Sequence, residues 1–296
     1  MIIYKQCPVC KSEAIAENFS ATDHTVSQES FAIFHCNNCS LRFTQNIPGQ
    51  HEIGKYYASE DYISHSDTQK GIVNSLYHII RKKTLGGKLK LIRNETQKTK
   101  GKILDIGCGT GAFLSTMTQA GWECTGLEPD ENARNKASEL YNIQPRSSEE
   151  IYLLPEKSFD AITMWHVLEH VHDLHQYVSQ ICNLLNPSGK LFIAVPNYTS
   201  YDAQHYGASW AAYDVPRHLY HFSPESMKTL MERHGLVIKN TQPMWYDSFY
   251  VSMLSEKYLN GKGYMLKAFF TGLISNLKTI GKENKCSSQI YIITKA

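Results

Sequence analysis

In the stretch ILDIGCGTGAFL, Ile103 to Leu114, an apolar run is set directly against a cluster of glycines. An apolar β-branched run that ends in small residues and leads into a helix-capable segment is how a buried parallel strand turns into a helix over a bound ligand. Gly107, Gly109 and Gly111 permit a tight turn and close approach of that ligand, and the following helix offers free backbone amides. Two acids frame the turn. Asp105 lies within the strand end, and Glu128 closes the next strand, CTGLE, about twenty residues beyond the first glycine, where a carboxylate accepts both hydroxyls of a ribose. The nicotinamide pattern GxGxxG is not the spelling here, which is GCGTG.

From Lys102 strands alternate with helices: KILDIG, a helix from Ala112, WECTGLE, a helix from Asp130, FDAITMWHV, a helix over 173–185, then KLFIAVPN. Alternation of this kind predicts a parallel sheet covered by helices on both faces. SPESM announces a further helix, with Ser223 as cap, Pro224 at the first helical position and Glu225 complementing the dipole. The strands LVIKNTQP and QIYIIT close the chain. Between them, YMLKAFFTGLISNLKTI carries Leu266, Phe269, Phe270, Leu273 and Leu277 on one helical face. That face reads as core or lid rather than membrane contact, because the polar side is too weakly basic for a surface-binding helix. The chain therefore divides into a small separate module at 1–48, a helical linker region at 49–100 and a main domain at 101–296, with a loop insert at about 198–222 and a helical insert at about 244–286. In the linker, Ile72, Leu76, Ile79 and Ile80 recur at helical spacing, with an interruption expected at Gly86 and Gly87.

A chain of 296 residues buries a sizeable core, and 30 basic against 28 acidic residues, a net charge of +2, leave no general electrostatic footprint for nucleic acid. The amino terminus MIIYKQCPVC lacks the order of a secretory signal, and no apolar run is long enough to span a bilayer, so a cytoplasmic protein is the default. Of eight cysteines, Cys7, Cys10, Cys36 and Cys39 form two CxxC pairs, while Cys108, Cys124, Cys182 and Cys286 are scattered. CPVC and CNNC, 25 residues apart, have the geometry of a four-thiolate zinc ribbon, one knuckle per pair. Two such pairs in one short module favour zinc over a redox dithiol. Zinc closed by four cysteines keeps no open position, so its role is structural.

LDIGCGTG followed by GLEPD resembles motif I and the ribose-binding acid of class I S-adenosylmethionine-dependent methyltransferases. SFDAITMWHVLEHVHD is similar to the fourth-strand region of the branch containing ubiquinone-type O-methyltransferases. The likeness covers residues from about 100 to 200 with specific motifs, and the remainder more loosely. It implies an α/β fold, a Rossmann-like doubly wound seven-stranded sheet whose last strand runs antiparallel, with the cofactor over the strand ends. It further implies that Asp105 and the loop Gly107, Cys108, Gly109 and Gly111 hold the methionine part and that Glu128 holds the ribose. Pro129 and Asp130 would line the adenine side, and Trp165 and His166 would lie beside the cofactor. The acid often found after the third strand has no clear match in IQPRSSEEI, where Ser147, Ser148 or Glu149 would substitute.

Methyl transfer from a sulfonium is an in-line displacement, for which positioning and a desolvated site supply most of the acceleration. A base is needed only where the acceptor arrives protonated. Among 13 histidines, His166 and His170 in WHVLEH and His218 and His221 in DVPRHLYHF suit that task. WAAYDVPRHLYHF follows the fifth strand, where such enzymes carry acceptor-binding loops. Trp210, Tyr213, Arg217 and His218 are its expected substrate contacts, with His218 ahead of His221 as base. The alternative is that this loop only packs on the sheet with its histidines hydrogen-bonded.

Amino-terminal zinc modules precede this catalytic domain in methyltransferases acting on sugar nucleotides and in some acting on ribosomal RNA. RNA would demand basic residues with exposed aromatics, whereas KSEAIAENFSATDHTVSQES is poor in arginine. The expectation is a small-molecule or glycan-precursor acceptor. An RNA methyltransferase, or a regulatory module that binds the cofactor without turnover, is the alternative.

Overall fold

The computed structural model describes residues 1–57, 72–261, 263–281 and 285–296. The linker positions 58–71, and the side chains of Ile72, Leu76 and Ile79, lie outside the described residues. Among the described residues ten strands form two sheets, one with the order β1-β2-β3-β8 and one with the order β5-β4-β6-β7-β10-β9. The strands are β1 (Ile15–Thr22), β2 (Ser30–Cys36), β3 (Arg42–Thr44), β4 (Lys102–Ile106), β5 (Glu123–Leu127), β6 (Phe159–Trp165), β7 (Leu185–Pro196), β8 (Tyr220–His221), β9 (Leu236–Pro243) and β10 (Ser288–Lys295). The chain clusters into two compact units. One comprises Met1–His65, Leu168–His175 and Ala194–Tyr291, and the other Ser66–Val167, Gln176–Ile193 and Ile292–Ala296.

In the second unit β4 pairs in parallel with both β5 and β6, from Lys102↔Glu123 to Ile106↔Leu127 and from Ile103↔Ala161 to Ile106↔Met164. Ile103, Leu104, Ile106, Leu127, Ala161, Ile162 and Met164 are all buried, as an apolar run covered on both faces must be. Helix α1 (Ile72–Thr96) runs through Gly86 and Gly87 without the expected interruption. A glycine costs only about 1 kcal/mol in a helix interior, which Leu85 to Leu91 and the burial of Leu91 and Ile92 offset. Helix α2 (Ala112–Gln119) buries Phe113, Leu114 and Met117, and helix α3 (Glu131–Tyr141) is capped by Asp130, which accepts from the Ala133 N–H.

The expected seven-stranded sheet has six strands among the described residues. The missing edge is a single parallel bridge, Leu127↔Arg146. Pro145 has no N–H to extend it, and the chain turns at once into a 3-10 turn over Ser148–Leu153, with a capping box between Ser147 and Glu150.

The last strand, β10, is antiparallel, as the family likeness implies. Met244, just past β9, donates to the Ser288 carbonyl at the start of β10 (3.0 Å), and Asn197, just past β7, donates to Ser287 (2.8 Å). The amino-terminal segment is not separate. β1, β2 and β3 pair antiparallel, and β3 continues onto β8 through Arg42↔His221 and Phe43↔Tyr220. Ala21, Phe31 and Ile33 share one buried cluster with Tyr198, Tyr206, Trp210, Tyr213 and Val215. The physical reason is size, since a module of some forty residues cannot bury enough apolar surface alone.

After helices α4 (Leu174–Leu184) and α5 (Tyr201–Tyr206), helix α6 (Pro224–Glu232) begins as expected at Ser223, which accepts from the Ser226 N–H. Helix α7 (Asp247–Asn260) packs on helix α8 (Met265–Thr279). Here the core expectation fails: Leu266, Phe269, Phe270 and Leu277 are 78, 51, 57 and 56 % exposed. The face that packs is the small one, Ala268, Thr271, Gly272, Ser275 and Thr279, because Ser275 donates to the buried Asp202 (2.6 Å) and Gly272 lies against the Phe249 backbone. Among the described residues no helix is long and apolar enough to cross a membrane. A Cβ on Gly272 would meet the Phe249 Cα at 3.0 Å, so Gly272→Ala should lower stability by about 1–3 kcal/mol in denaturant unfolding. An unchanged midpoint would contradict this close helix contact.

Candidate active site

The turn after β4 is built on left-handed glycines. Gly107, Gly109 and Gly111 have φ of +70, +53 and +80°. A Cβ on Gly107 would stand 2.4 Å from Val167 Cγ2, and one on Gly111 would stand 3.1 Å from Ala137 Cβ. At Gly109 nothing lies within 4 Å of that position, so a side chain would fill open space above the backbone. Gly107 and Cys108 both donate to the Leu127 carbonyl, at 2.7 and 3.0 Å, which folds the turn over the end of β5. The Cys108 thiol is buried against Gly126, where a Cβ would meet its Sγ at 2.9 Å.

Glu128 binds both flanks of this turn. Its Oε2 accepts from the Gly109 N–H (2.8 Å) and its Oε1 from the Asp130 N–H (3.0 Å), with 8 % of the residue exposed. Each oxygen keeps a further lone pair for a hydroxyl donor. Burial raises the Glu128 carboxyl above its ordinary range, opposed by the two N–H bonds. Pro129 accepts on its carbonyl from Arg134, and the Asp130 carboxylate is spent on capping α3. Ser147 meets Glu150 within the capping box that follows.

Asp105 is 1 % exposed and accepts from the Thr163 hydroxyl at 2.6 Å. Burial pushes its carboxyl up to about 7, with the Thr163 bond and the Lys88 charge acting against that rise. Trp165 ends β6 edge-on to Phe113 (5.7 Å), and Lys88 Nζ stands 4.0 Å from the Trp165 ring centre. His166 follows at φ +58°, in the left-handed region that few residues other than glycine, asparagine, aspartate and histidine enter. The helix beyond the loop starts at Gly111 with no side-chain cap, so its first amides are left for a ligand.

The first unit brings His170 and His218 together, with ring centres 4.6 Å apart and edge-to-face. His218 is 9 % exposed, and its Nδ1 lies 2.8 Å from the Ala212 carbonyl. The proton therefore sits on Nδ1, and Nε2 carries a lone pair. Asp214 Oδ2 is 3.9 Å from that Nε2, placed to stabilise the ring once it takes a proton. His170 Nδ1 is 3.0 Å from both the Arg217 carbonyl and the Tyr57 hydroxyl. Close packing lowers the His170 ring to about 4, aided by His218, so it is neutral at physiological pH. Glu169, fully buried, His170 and His218 each offer an atom within 4.8 Å of the others, a spacing that also suits a cation.

His221 is spent on the scaffold. Thr44 Oγ1 donates to the His218 carbonyl (2.7 Å) and accepts from His221 Nε2 (3.1 Å). Arg217, 1 % exposed, donates to Asp23 (2.9 Å), to both oxygens of Asp214 (3.1 and 3.0 Å from Nε) and to the Tyr56 carbonyl (2.7 Å). Trp210 is buried with its Nε1–H on Asp202 (2.8 Å), and its ring meets Tyr213 edge-on at 5.3 Å. Tyr213 accepts from Arg42 Nη1 at 2.6 Å.

The four cysteines of the two pairs converge. Cys7 Sγ is 3.6 Å from Cys39 Sγ and Cys10 Sγ is 3.5 Å from Cys36 Sγ, with no disulfide. Both turns are built alike: Lys11 N–H returns to the Cys7 carbonyl and Ser40 N–H to the Cys36 carbonyl, each at 3.0 Å, with Lys11 and Ser40 left-handed.

A model of the methyltransferase-domain family matches residues 77–240, more than half of the chain. The chain belongs to the class I S-adenosylmethionine-dependent methyltransferases. Ubiquinone biosynthesis O-methyltransferase of Nitrosococcus oceani is 31 % identical over 188 residues, 59 % of this chain and 78 % of that protein. The human mitochondrial enzyme of the same name is 30 % identical over 185 residues, 56 % of this chain, and the chain spans 50 % of its length. The solved structure of magnesium protoporphyrin IX methyltransferase from Synechocystis PCC 6803 with bound SAH shares the fold, with a TM-score of 0.52, 13 % identity and coverage of 81 % of this chain and 97 % of that one.

Two residues at the methyltransferase loop escape a reading of the sequence. Thr163, two residues before the strand end, bonds the Asp105 carboxylate, and only the register Asp105↔Thr163 reveals it. Lys88 reaches Trp165 from α1, and its lone signal, a lysine in GGKLKLIR, is common on any solvated helix.

Folded protein holds the Asp105 proton to about pH 7, whereas the unfolded chain releases it near 4, so this group's contribution is full below about 4 and is lost as pH rises through 7. Asp105→Asn cannot ionise. Without added ligand its stability relative to the parent should grow by ~2–3 kcal/mol between pH 5 and pH 8. An unchanging difference in denaturant unfolding would refute the buried carboxyl.

Proposed function

We propose that this protein transfers the methyl group of S-adenosylmethionine to a small-molecule acceptor, and that the acceptor is a glycan precursor. The observation that carries the reading is the glycine turn with Glu128 bonded to the Gly109 and Asp130 amides. The open space over Gly109 and the uncapped start of α2 fit a ligand lying on the backbone. Glu128 would hold the ribose hydroxyls. Asp105 and the loop from Gly107 to Gly111 would hold the cationic methionine end, with Pro129 and Asp130 on the adenine side and Trp165 and His166 beside it. When bound, the cofactor supplies an electrophilic methyl group on a sulfonium. The rest falls to this chain. Asp105, ionised when a cation stands beside it, anchors charge, and the apolar strand ends exclude water.

His218 is the proposed base, because its Nδ1 is fixed on the Ala212 carbonyl and its Nε2 is free to take the acceptor proton. Asp214 would steady the resulting charge. His170, held neutral, would orient the acceptor, and Tyr213 would contact it. A second reading rests on the spacing of Glu169, His170 and His218, which would let a divalent cation bind the acceptor oxygens in place of a base. Transfer that depends on added magnesium or manganese would favour it.

The four cysteine sulfurs fit a zinc ion, since their separations of 3.5 and 3.6 Å match tetrahedral thiolates about 2.3 Å from a common centre. The ion would be structural. Two CxxC pairs that suit a metal rather than a disulfide fit a reducing compartment such as the cytoplasm.

A screen of sugar and phenolic acceptors with cofactor labelled on its methyl group tests the activity. Glu128→Ala should lose on the order of 2–3 kcal/mol of S-adenosylmethionine affinity by calorimetry. His218→Ala should keep that affinity and slow transfer by about 10²- to 10⁴-fold, partly restored at high pH where the acceptor ionises by itself. Intact affinity in a folded Glu128→Ala variant would remove Glu128 from the site.

A further inference from the structure

Arg42 on β3, half-buried, is unlike the buried arginine of its unit, Arg217. Arg217 faces two carboxylates, whereas among the described residues no acid pairs with Arg42. Its guanidinium is nonetheless held firmly. Its carbon lies 4.2 Å from the ring centre of Tyr198 and 5.5 Å from that of Phe19, so two aromatic rings pack against it. Nη1 donates to the Tyr213 hydroxyl at 2.6 Å. With the Asn18 amide turned so that its oxygen faces the guanidinium, Nε and Nη2 donate to it at 3.1 and 3.2 Å. Three of the five N–H donors of a guanidinium are then used, and two remain at its edge.

Arg42 forms part of the wall of a cleft of about 350 Å³, which Phe19, Tyr198, Thr199, Gln204 and Ala208 also line. The volume is that of a small-molecule site. Its other polar groups suit hydroxyls: Thr199 Oγ1 donates to Asn197 and can still accept, and Gln204, whose Nε2 is on the Thr199 carbonyl, presents its amide oxygen. A half-buried guanidinium held against aromatic rings, with no carboxylate and two spare donors, is a receptor for a planar or tetrahedral oxyanion.

We propose that this cleft binds the oxyanion of a phosphorylated or carboxylated polyol. It rests on the methyl-transfer reading in one respect, that the bound molecule is the acceptor. Arg42 holds the anionic group, Thr199 and Gln204 meet the hydroxyls, and the aromatic rings of Phe19 and Tyr198 keep the cation aligned without a counter-charge.

Calorimetric titration of the full-length protein with glucose 1-phosphate, glucuronate and glucose separates the sources. At least one anion should bind tenfold or more tightly than glucose: preference for the phosphate assigns a phosphorylated ligand, and preference for glucuronate a carboxylated one. Arg42→Lys keeps a charge but loses the fork, and should weaken that anion at least fivefold. Ala208→Trp fills the cleft from an exposed position and should weaken it tenfold without touching the core. Equal binding of glucose, no binding of either anion, or unchanged affinity in both variants would overturn the proposal. Titration with S-adenosylmethionine in the same preparation keeps the two readings apart: its failure removes the methyltransferase activity, while failure of the anions alone removes only this cleft.

Discussion

The pairing of Arg42 and Phe43 with His221 and Tyr220 decides where the histidines of this chain stand. A strand of two residues has little stability of its own, so β8 exists because β3 offers it an edge and because side chains lock the junction. Thr44 does so twice, donating to the His218 carbonyl and accepting from His221. Arg217 closes the same region from below. A buried guanidinium is costly unless fully paired, and this one gathers Asp23 of the amino-terminal segment, Asp214 of the histidine loop and the Tyr56 carbonyl. The cysteine segment is thereby a structural part of the histidine site, and a metal bound there would lend its binding energy to the folding of both.

The second unit works by shorter connections. Gly107 and Cys108 reach the Leu127 carbonyl, Glu128 reaches Gly109, and Gly126 leaves room for Cys108 and Leu114, all within a span of about twenty residues. Burial raises the Asp105 carboxyl to about 7, so the free loop holds a proton there that a cationic ligand would displace. Binding and ionisation are therefore coupled at Asp105.

What was legible in the sequence follows the same division. The glycine turn, the position of Glu128 after a strand, the alternation of strands and helices, and the Ser223 cap are written in local spacing, and each stands where that spacing puts it. The β3–β8 pairing joins positions nearly 180 residues apart and leaves no periodic trace. Arg42, Thr163 and Lys88 gain their meaning only from register and from rings on other elements. Helix α8 misleads for a different reason. It carries two stripes, one large and apolar and one small, and hydrophobic periodicity selects the first, whereas the buried Asp202 and the close approach of Phe249 select the second. The seventh strand fails at Pro145, where a missing amide outweighs family expectation.

Amide hydrogen exchange on the full-length protein, before and after removal of metal by a strong chelator, tests most directly whether cysteine segment and histidine loop are one folding unit. The account predicts that the amides of Ser40, Thr44 and Leu219, bonded to Cys36, Leu219 and Glu169, lose protection together, while Ile103 to Ile106 in the other unit keep theirs. If Ser40 lost protection while Thr44 and Leu219 remained protected, the histidine site would be independent of the cysteine cluster and the account would be wrong.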